Sequence, residues 1–406
     1  MIYHTLKNNQ PFRLTWTEYL LAFMFAILGG FQNAGLLPAK TYILGGLGLY
    51  YFMKHPKDAD RKALILCILS YVLIGILHIY VYSYTSKRTL LELPLLIFSG
   101  YFIIRTLGWK FRYALLQVMT VLAGISIVFY FAMVFADFVP HTSLSTLMYP
   151  GNALIYVVRY NEIIDLRNCG PYWEPGAFGG YIVMIFMFFF DSLNELWKKY
   201  RKHVIILVIA MITTRSTQTY LCAFMLLGFC LWGDRLSMKT VILSVAFMAV
   251  SFIAYTSLPF LRDKVNEQLE LTIDWESDNS LRSANRFTTT MLDIYYINKN
   301  PLIGNTDDSK NRYGDHPFVL RVIEDQGGYG SGSGITNNIA TYGLLPFLIW
   351  LLFSYKKLYH LHGVRKTFLM FLILLALGQG EQYSNAIFYL SLPFLCGNKI
   401  NIPRNR

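Results

Sequence analysis

Residues 63–83 read ALILCILSYVLIGILHIYVYS, a stretch with no Asp, Glu, Lys or Arg, preceded by Arg61 and Lys62. As a helix rising about 1.5 Å per residue it covers roughly 30 Å, the hydrocarbon thickness of a bilayer. An all-round apolar helix of that length suits lipid better than water. Similar runs recur at 16–33, 36–53, 90–108, 114–137, 176–193, 203–214, 217–232, 240–259, 335–354, 367–379 and 382–397. With hydrophobic residues at 54% and charged residues at 15% over 406 positions, no soluble core could absorb the apolar side chains. The expectation is an all-α integral membrane protein of about twelve spans, within a range of ten to twelve, forming one polytopic domain over 1–406. The short runs at 203–214, 217–232, 367–379 and 382–397 suit tilted, broken or re-entrant segments beside a cavity. The first run leads into a second rather than into a small-residue cleavage site, so no cleaved signal peptide is expected.

The net charge of +12 does not gather into a nucleic-acid-binding face. Its cations sit in short turns: Lys54, Lys57, Arg61 and Lys62; Lys110 and Arg112; Lys198, Lys199, Arg201 and Lys202; Lys356, Lys357, Arg365 and Lys366. Twelve spans place all of these on one side, with Lys7 and Arg13 before the first and Lys399, Arg404 and Arg406 after the last. That is the cytoplasmic side, and both termini are expected there. Lys40 and Arg105 are expected to snorkel, and Glu381 to occupy an outer turn. The five cysteines show neither metal-ligand spacing nor a disulfide pattern.

Two long segments, 138–175 and 260–334, then face the other side, and loops of that length usually carry function. Within the second, Leu281 to Ile297 has the spacing of a surface helix before the Pro301-Leu302-Ile303-Gly304 turn. The Gly-rich run from Asp325 to Gly334 follows no predicted strand, so it reads as a flexible approach rather than a nucleotide-binding loop.

Three groups of residues can carry chemistry. Glu174, in the run Arg167-Asn168-Cys169-Gly170-Pro171-Tyr172-Trp173-Glu174-Pro175, would be partly desolvated beside Trp173 and so suit a general base. The same residues fit an aromatic belt followed by a helix start, with an acid and a proline in the first turn. Arg215, in Thr213-Thr214-Arg215-Ser216-Thr217-Gln218-Thr219-Tyr220, is either a cation at membrane depth that needs an anionic partner such as phosphate, or part of a short outer turn. Arg282 and Arg286, four apart, form either a diphosphate clamp or ordinary helix surface; His316 and Arg321 follow them.

Four stretches together resemble the bacterial O-antigen and capsule polymerase family, which includes the O-antigen ligases. They are Arg167 to Gly180 with its Trp-Glu-Pro-Gly-Ala-Phe core; Arg215-Ser216-Thr217-Gln218-Thr219; Arg286 with Asn300-Pro301-Leu302-Ile303-Gly304; and Ser333 to Asn338 with Tyr342-Gly343-Leu344-Leu345. The resemblance covers roughly 150–350, and Asn305-Thr306-Asp307-Asp308 stands where such proteins commonly place another glycine. It implies a GT-C-like bundle with two large extracytoplasmic loops in the bacterial inner membrane. It also implies glycosyl transfer on the periplasmic face without metal or other cofactor, from undecaprenyl-diphosphate-linked oligosaccharide, alongside a flippase and a chain-length regulator. By the same resemblance Glu174 or His316 would activate the acceptor hydroxyl. Arg159, Arg167, Arg215, Arg282, Arg286 and Arg321 would bind diphosphate or sugar. A ligase moving finished polymer to lipid A core or protein keeps the fold and changes the acceptor. A flippase would need paired halves and short loops, against the lopsided layout here. A membrane acyltransferase is the weakest fit, for want of a histidine–aspartate pair at helical spacing.

Overall fold

The chain enters its first helix through a reciprocal cap. The Thr15 side chain accepts from the Glu18 backbone N–H, and the Glu18 carboxylate accepts from the Thr15 N–H at 2.8 Å, starting α1 (Trp16–Leu28). A computed structural model of the chain describes residues 13–30, 39–136, 156–160, 165–231, 286–315, 333–362, 364–380 and 387–396. These are mostly helical: after α1 come α2 (Lys40–Lys54), α3 (Arg61–Tyr82), α4 (Leu93–Leu107), α5 (Phe111–Ala136), α6 (Pro175–Phe188), α7 (Leu193–Thr213) and α8 (Thr217–Leu231). Beyond them lie α9 (Arg286–Lys299), α10 (Ser309–Tyr313), α11 (Ile335–Tyr342), α12 (Leu344–His362), α13 (Val364–Gly380) and α14 (Ile387–Leu390). Among the described residues the exception to the helical expectation is a hairpin of β1 (Tyr156–Tyr160) and β2 (Asp165–Gly170) within the first long loop.

Among the described residues, two helical runs are long and apolar enough to cross a membrane, Arg61–Tyr82 and Arg88–Ala136, with mean hydropathy 2.5 and 2.3. The second is interrupted at Gly108 (φ +54) and a short 3₁₀ turn, which divides α4 from α5. The last expected span, 382–397, is no continuous helix where it is described: α14 has four residues, and Pro393 lies in the 3₁₀ turn Leu392–Phe394. Proline removes a backbone donor and clashes with the preceding turn.

One end of the bundle gathers the basic turns. Arg105 from α4 bonds Asp58 at 2.7 Å and Asp60 at 3.0 Å, and Lys357 from α12 bonds Asp60 at 2.8 Å. Arg105 therefore does not snorkel. Its guanidinium is mostly buried and satisfied by two carboxylates from the α2–α3 turn. Lys110 pairs with Glu18 at 2.5 Å at the same end. At the far end of α3, His78 Nε2 lies 2.7 Å from the Ile303 carbonyl and the Tyr82 hydroxyl donates to Gly304 O at 2.8 Å. Because α3, α4 and α12 each run from the acidic clip to this opposite end, the turns around Ile303, Gly304 and Leu344 assemble away from the basic turns.

Candidate active site

The β hairpin pairs Arg159 with Leu166 and Val158 with Arg167. Strand alternation sends Arg167 and Asn168 to opposite faces. Asn168 is fully buried; its amide donates to Ser126 Oγ on α5 and Thr213 Oγ1 on α7, both at 3.0 Å, and its carbonyl accepts from Gly170 N–H at 2.9 Å. Gly170, at φ +53, then reverses the chain while the Phe178 ring packs where a side chain would go. Glu174 becomes the N-cap of α6 with extended backbone (φ −151, ψ 160). Its carboxylate caps no N–H of that helix. The neighbouring rings are fixed: Trp173 packs over Gly30, and the Tyr181 hydroxyl donates to Gly29 O at 2.5 Å.

The Arg215 knot is the turn between α7 and α8. Arg215 has φ +48, an uncommon backbone for a residue with a Cβ, and is half-buried. Tyr220 folds back over the turn and donates its hydroxyl to Ile212 O. The Asn168–Thr213 bond sets the chain at Arg167 beside the chain at Arg215, and both guanidiniums act electrostatically on the Tyr220 phenol. The rest of the knot is used in packing. Gln218 donates its amide to the α13 carbonyls of Ala376 and Leu377, at 2.8 and 2.9 Å, and Thr219 sits against Gly179 of α6.

The other two stretches meet across a buried network. Arg286 opens α9, a helix that docks on α11 through the buried stripe Thr289, Leu292, Asp293 and Tyr296 and leaves Met291, Ile294 and Tyr295 exposed on its other face. Asp293 pairs with Arg312 of α10, which also donates to Asn337 Oδ1 at 2.6 Å and Thr341 Oγ1 at 2.9 Å. Thr336 donates to the other Asp293 oxygen at 3.0 Å. The turns at Gly304 (φ +71) and Gly343 (φ +78) pass so close that a Cβ on either would strike the other segment's backbone. After Gly304, Asn305 donates to Tyr296 O and Ala340 O at 2.9 and 3.1 Å, and Thr306 takes the left-handed conformation (φ +72). Outside the network, Lys299 bonds Asp315 at 2.7 Å. Burial pushes the Asp315 carboxyl up, but hydrogen bonds from Lys299 and Tyr296 outweigh it and hold the group below its ordinary value.

The C-terminal end of α13 joins the two halves. Gln218 binds it from one side; from the other, Gly334 N–H donates to Gln379 O at 2.9 Å, and the Gln379 amide reaches Thr336 and Thr290 at 3.0 and 3.2 Å. All four stretches therefore belong to one connected assembly. Asn168, Gln218, Asp293, Arg312 and Gln379 organise it without having been singled out by sequence; a bare Gln or Asp in a helix carries no signal of a partner distant in the chain. Arg282, His316, Arg321 and Glu381 lie outside the described residues, and of Arg159 and Arg286 only the backbone position is described. A small apolar cavity lined by Met184, Met187, Phe188, Leu358, Met370, Leu374 and Leu392 lies towards the other end of α6, away from these polar groups.

No protein-family model matches the chain, and no curated protein matches it.

Proposed function

We propose that this chain is a polysaccharide polymerase that joins polyprenyl-diphosphate-linked repeat units on the periplasmic face of a bacterial inner membrane, with about twelve spans and both termini in the cytoplasm. The observation that carries the reading is the Asn168–Thr213 hydrogen bond, which sets the Arg167 strand beside the left-handed Arg215 turn, with Glu174 seven residues beyond Arg167, at the end of the bundle opposite the basic turns. In the proposed reaction the acceptor hydroxyl oxygen attacks the anomeric carbon of the donor. The carbon–oxygen bond to the diphosphate breaks, and the hydroxyl proton passes to the Glu174 carboxylate, with His316 the second candidate base. Charge then grows on the departing polyprenyl diphosphate. Guanidiniums already fixed by a strand and a strained turn stabilise it without reorganising, which makes a metal ion dispensable.

The test is the size distribution of surface polysaccharide from a strain deleted for the gene and from the same strain complemented with wild type or Glu174→Gln. Single repeat units on the acceptor, restored to a ladder by wild type alone, support the polymerase and Glu174. Accumulation of long lipid-linked polymer would point to the ligase, and an unchanged ladder would remove the proposal.

A further inference from the structure

Four helices carry a continuous exposed stripe that changes character within one turn. On α7 the stripe runs Lys198, Arg201, then Ile205, Ile209 and Ile212. On α3 it runs Lys62, then Ile65, Leu69, Leu73 and Ile76; on α2, Lys54, then Tyr50, Leu47 and Ile43; on α12, Lys356, then Leu352 and Leu348. Each is spaced at three or four residues, so each is one face of its helix. Cations give way to aliphatic side chains at the same end of all four, and exposed Trp197, Tyr50, Tyr355 and Tyr359 cluster at the change. Such a level is where headgroups meet hydrocarbon.

The start of α7 stands out at this level. Tyr200 has non-helical backbone (φ −124, ψ 29), which kinks the helix between Leu193–Lys199 and the apolar segment that follows. The kink is fixed by packing, with the Tyr200 ring 5.7 Å from that of Tyr113 and 5.5 Å from that of His203. Before the kink Leu196 is buried while Trp197 is 48% exposed, and Arg201 covers the Trp197 ring at 5.1 Å. Residues 191–202 hold four basic residues against two acidic ones. A short kinked arm with an exposed tryptophan and exposed cations beside an apolar stripe is built to lie on a charged bilayer.

We infer that the arm Leu193–Lys202 docks on the bilayer surface by binding anionic phospholipid headgroups, through Lys198, Arg201 and Lys202 with Trp197 at the hydrocarbon boundary. This rests on the membrane location of the chain and is independent of glycosyl transfer. The experiment is hydrogen exchange on the full-length protein in lipid nanodiscs of phosphatidylcholine alone or with phosphatidylglycerol added. Amides of the arm should exchange at least about fivefold more slowly with phosphatidylglycerol, the effect of about one cation at an anionic surface. The triple variant Lys198→Gln, Arg201→Gln, Lys202→Gln should lose the difference, with exchange in α3 and α5 unchanged as the check on folding. If that variant unfolds, high salt on wild type replaces it, since screening should erase the difference. Equal exchange of wild type in the two lipids, a difference that survives the triple variant, or one that survives high salt would overturn the inference.

Discussion

Asn168 donates its side-chain amide to Thr213 Oγ1 at 3.0 Å, and this bond ties the residue before it, Arg167, to Arg215 two residues past Thr213. A buried amide holding two chain segments is costly to remove, because Gly170 N–H loses its acceptor as well. Asn168→Ala should lower stability by about 2 kcal/mol. Thermal unfolding of the purified protein in detergent checks this, and polymer length should shorten in the same variant as the two arginines lose register.

The Asp293–Arg312 pair is nearly dry, with side chains 0% and 4% exposed. Removing one partner leaves an uncompensated charge, so Asp293→Ala should cost about 3–5 kcal/mol. The double replacement Asp293→Leu, Arg312→Met should recover most of that loss. A double variant no more stable than Asp293→Ala would show that the pair is not what joins α9 to α10.

At Gly304 the backbone is left-handed, and a Cβ would collide with the Thr341 carbonyl. Gly304→Ala should therefore reduce the folded yield in membranes severely, whereas Gly46→Ala, where a Cβ meets nothing, should leave it unchanged. Fluorescence-detected size exclusion of the two tagged variants compares them directly.

The Lys299–Asp315 pair gives a modest acid dependence. The folded carboxyl titrates below its unfolded value of about 4, because hydrogen bonds from Lys299 and Tyr296 outweigh its burial. Its contribution is present above the unfolded value and is lost as pH falls through the folded one. Asp315→Asn should flatten the fall in unfolding temperature below about pH 4 relative to wild type, by a small amount given the exposure of both groups.

Helices were legible where apolarity alone decides them: the run 63–83 matches Arg61–Tyr82, and 114–137 matches Phe111–Ala136. Arg105 was misread because its acids, Asp58 and Asp60, lie 47 and 45 residues earlier in a turn that reads as cationic. The hairpin was missed for a related reason. Asp165-Leu166-Arg167-Asn168-Cys169-Gly170 has no apolar alternation; it is a strand by pairing with Tyr156–Tyr160, and Asn168 anchors it to α5 and α7. For the site, the stretches themselves could be picked out, Arg167 and Arg215 among them. Their common attachment to the end of α13 could not, since Gln218 and Gln379 find partners 158 and 43 residues away.

The central claim is that Arg167 and Arg215 stabilise a departing diphosphate. The most direct measurement supplies purified full-length protein with polyprenyl-diphosphate-linked repeat units and follows both the product ladder and free polyprenyl diphosphate. Wild type should extend the chain and release one polyprenyl diphosphate per linkage formed, and Arg215→Ala should slow both at least about 100-fold, the loss expected for one fixed charge-stabilising donor. Equal rates for wild type and Arg215→Ala would contradict the account.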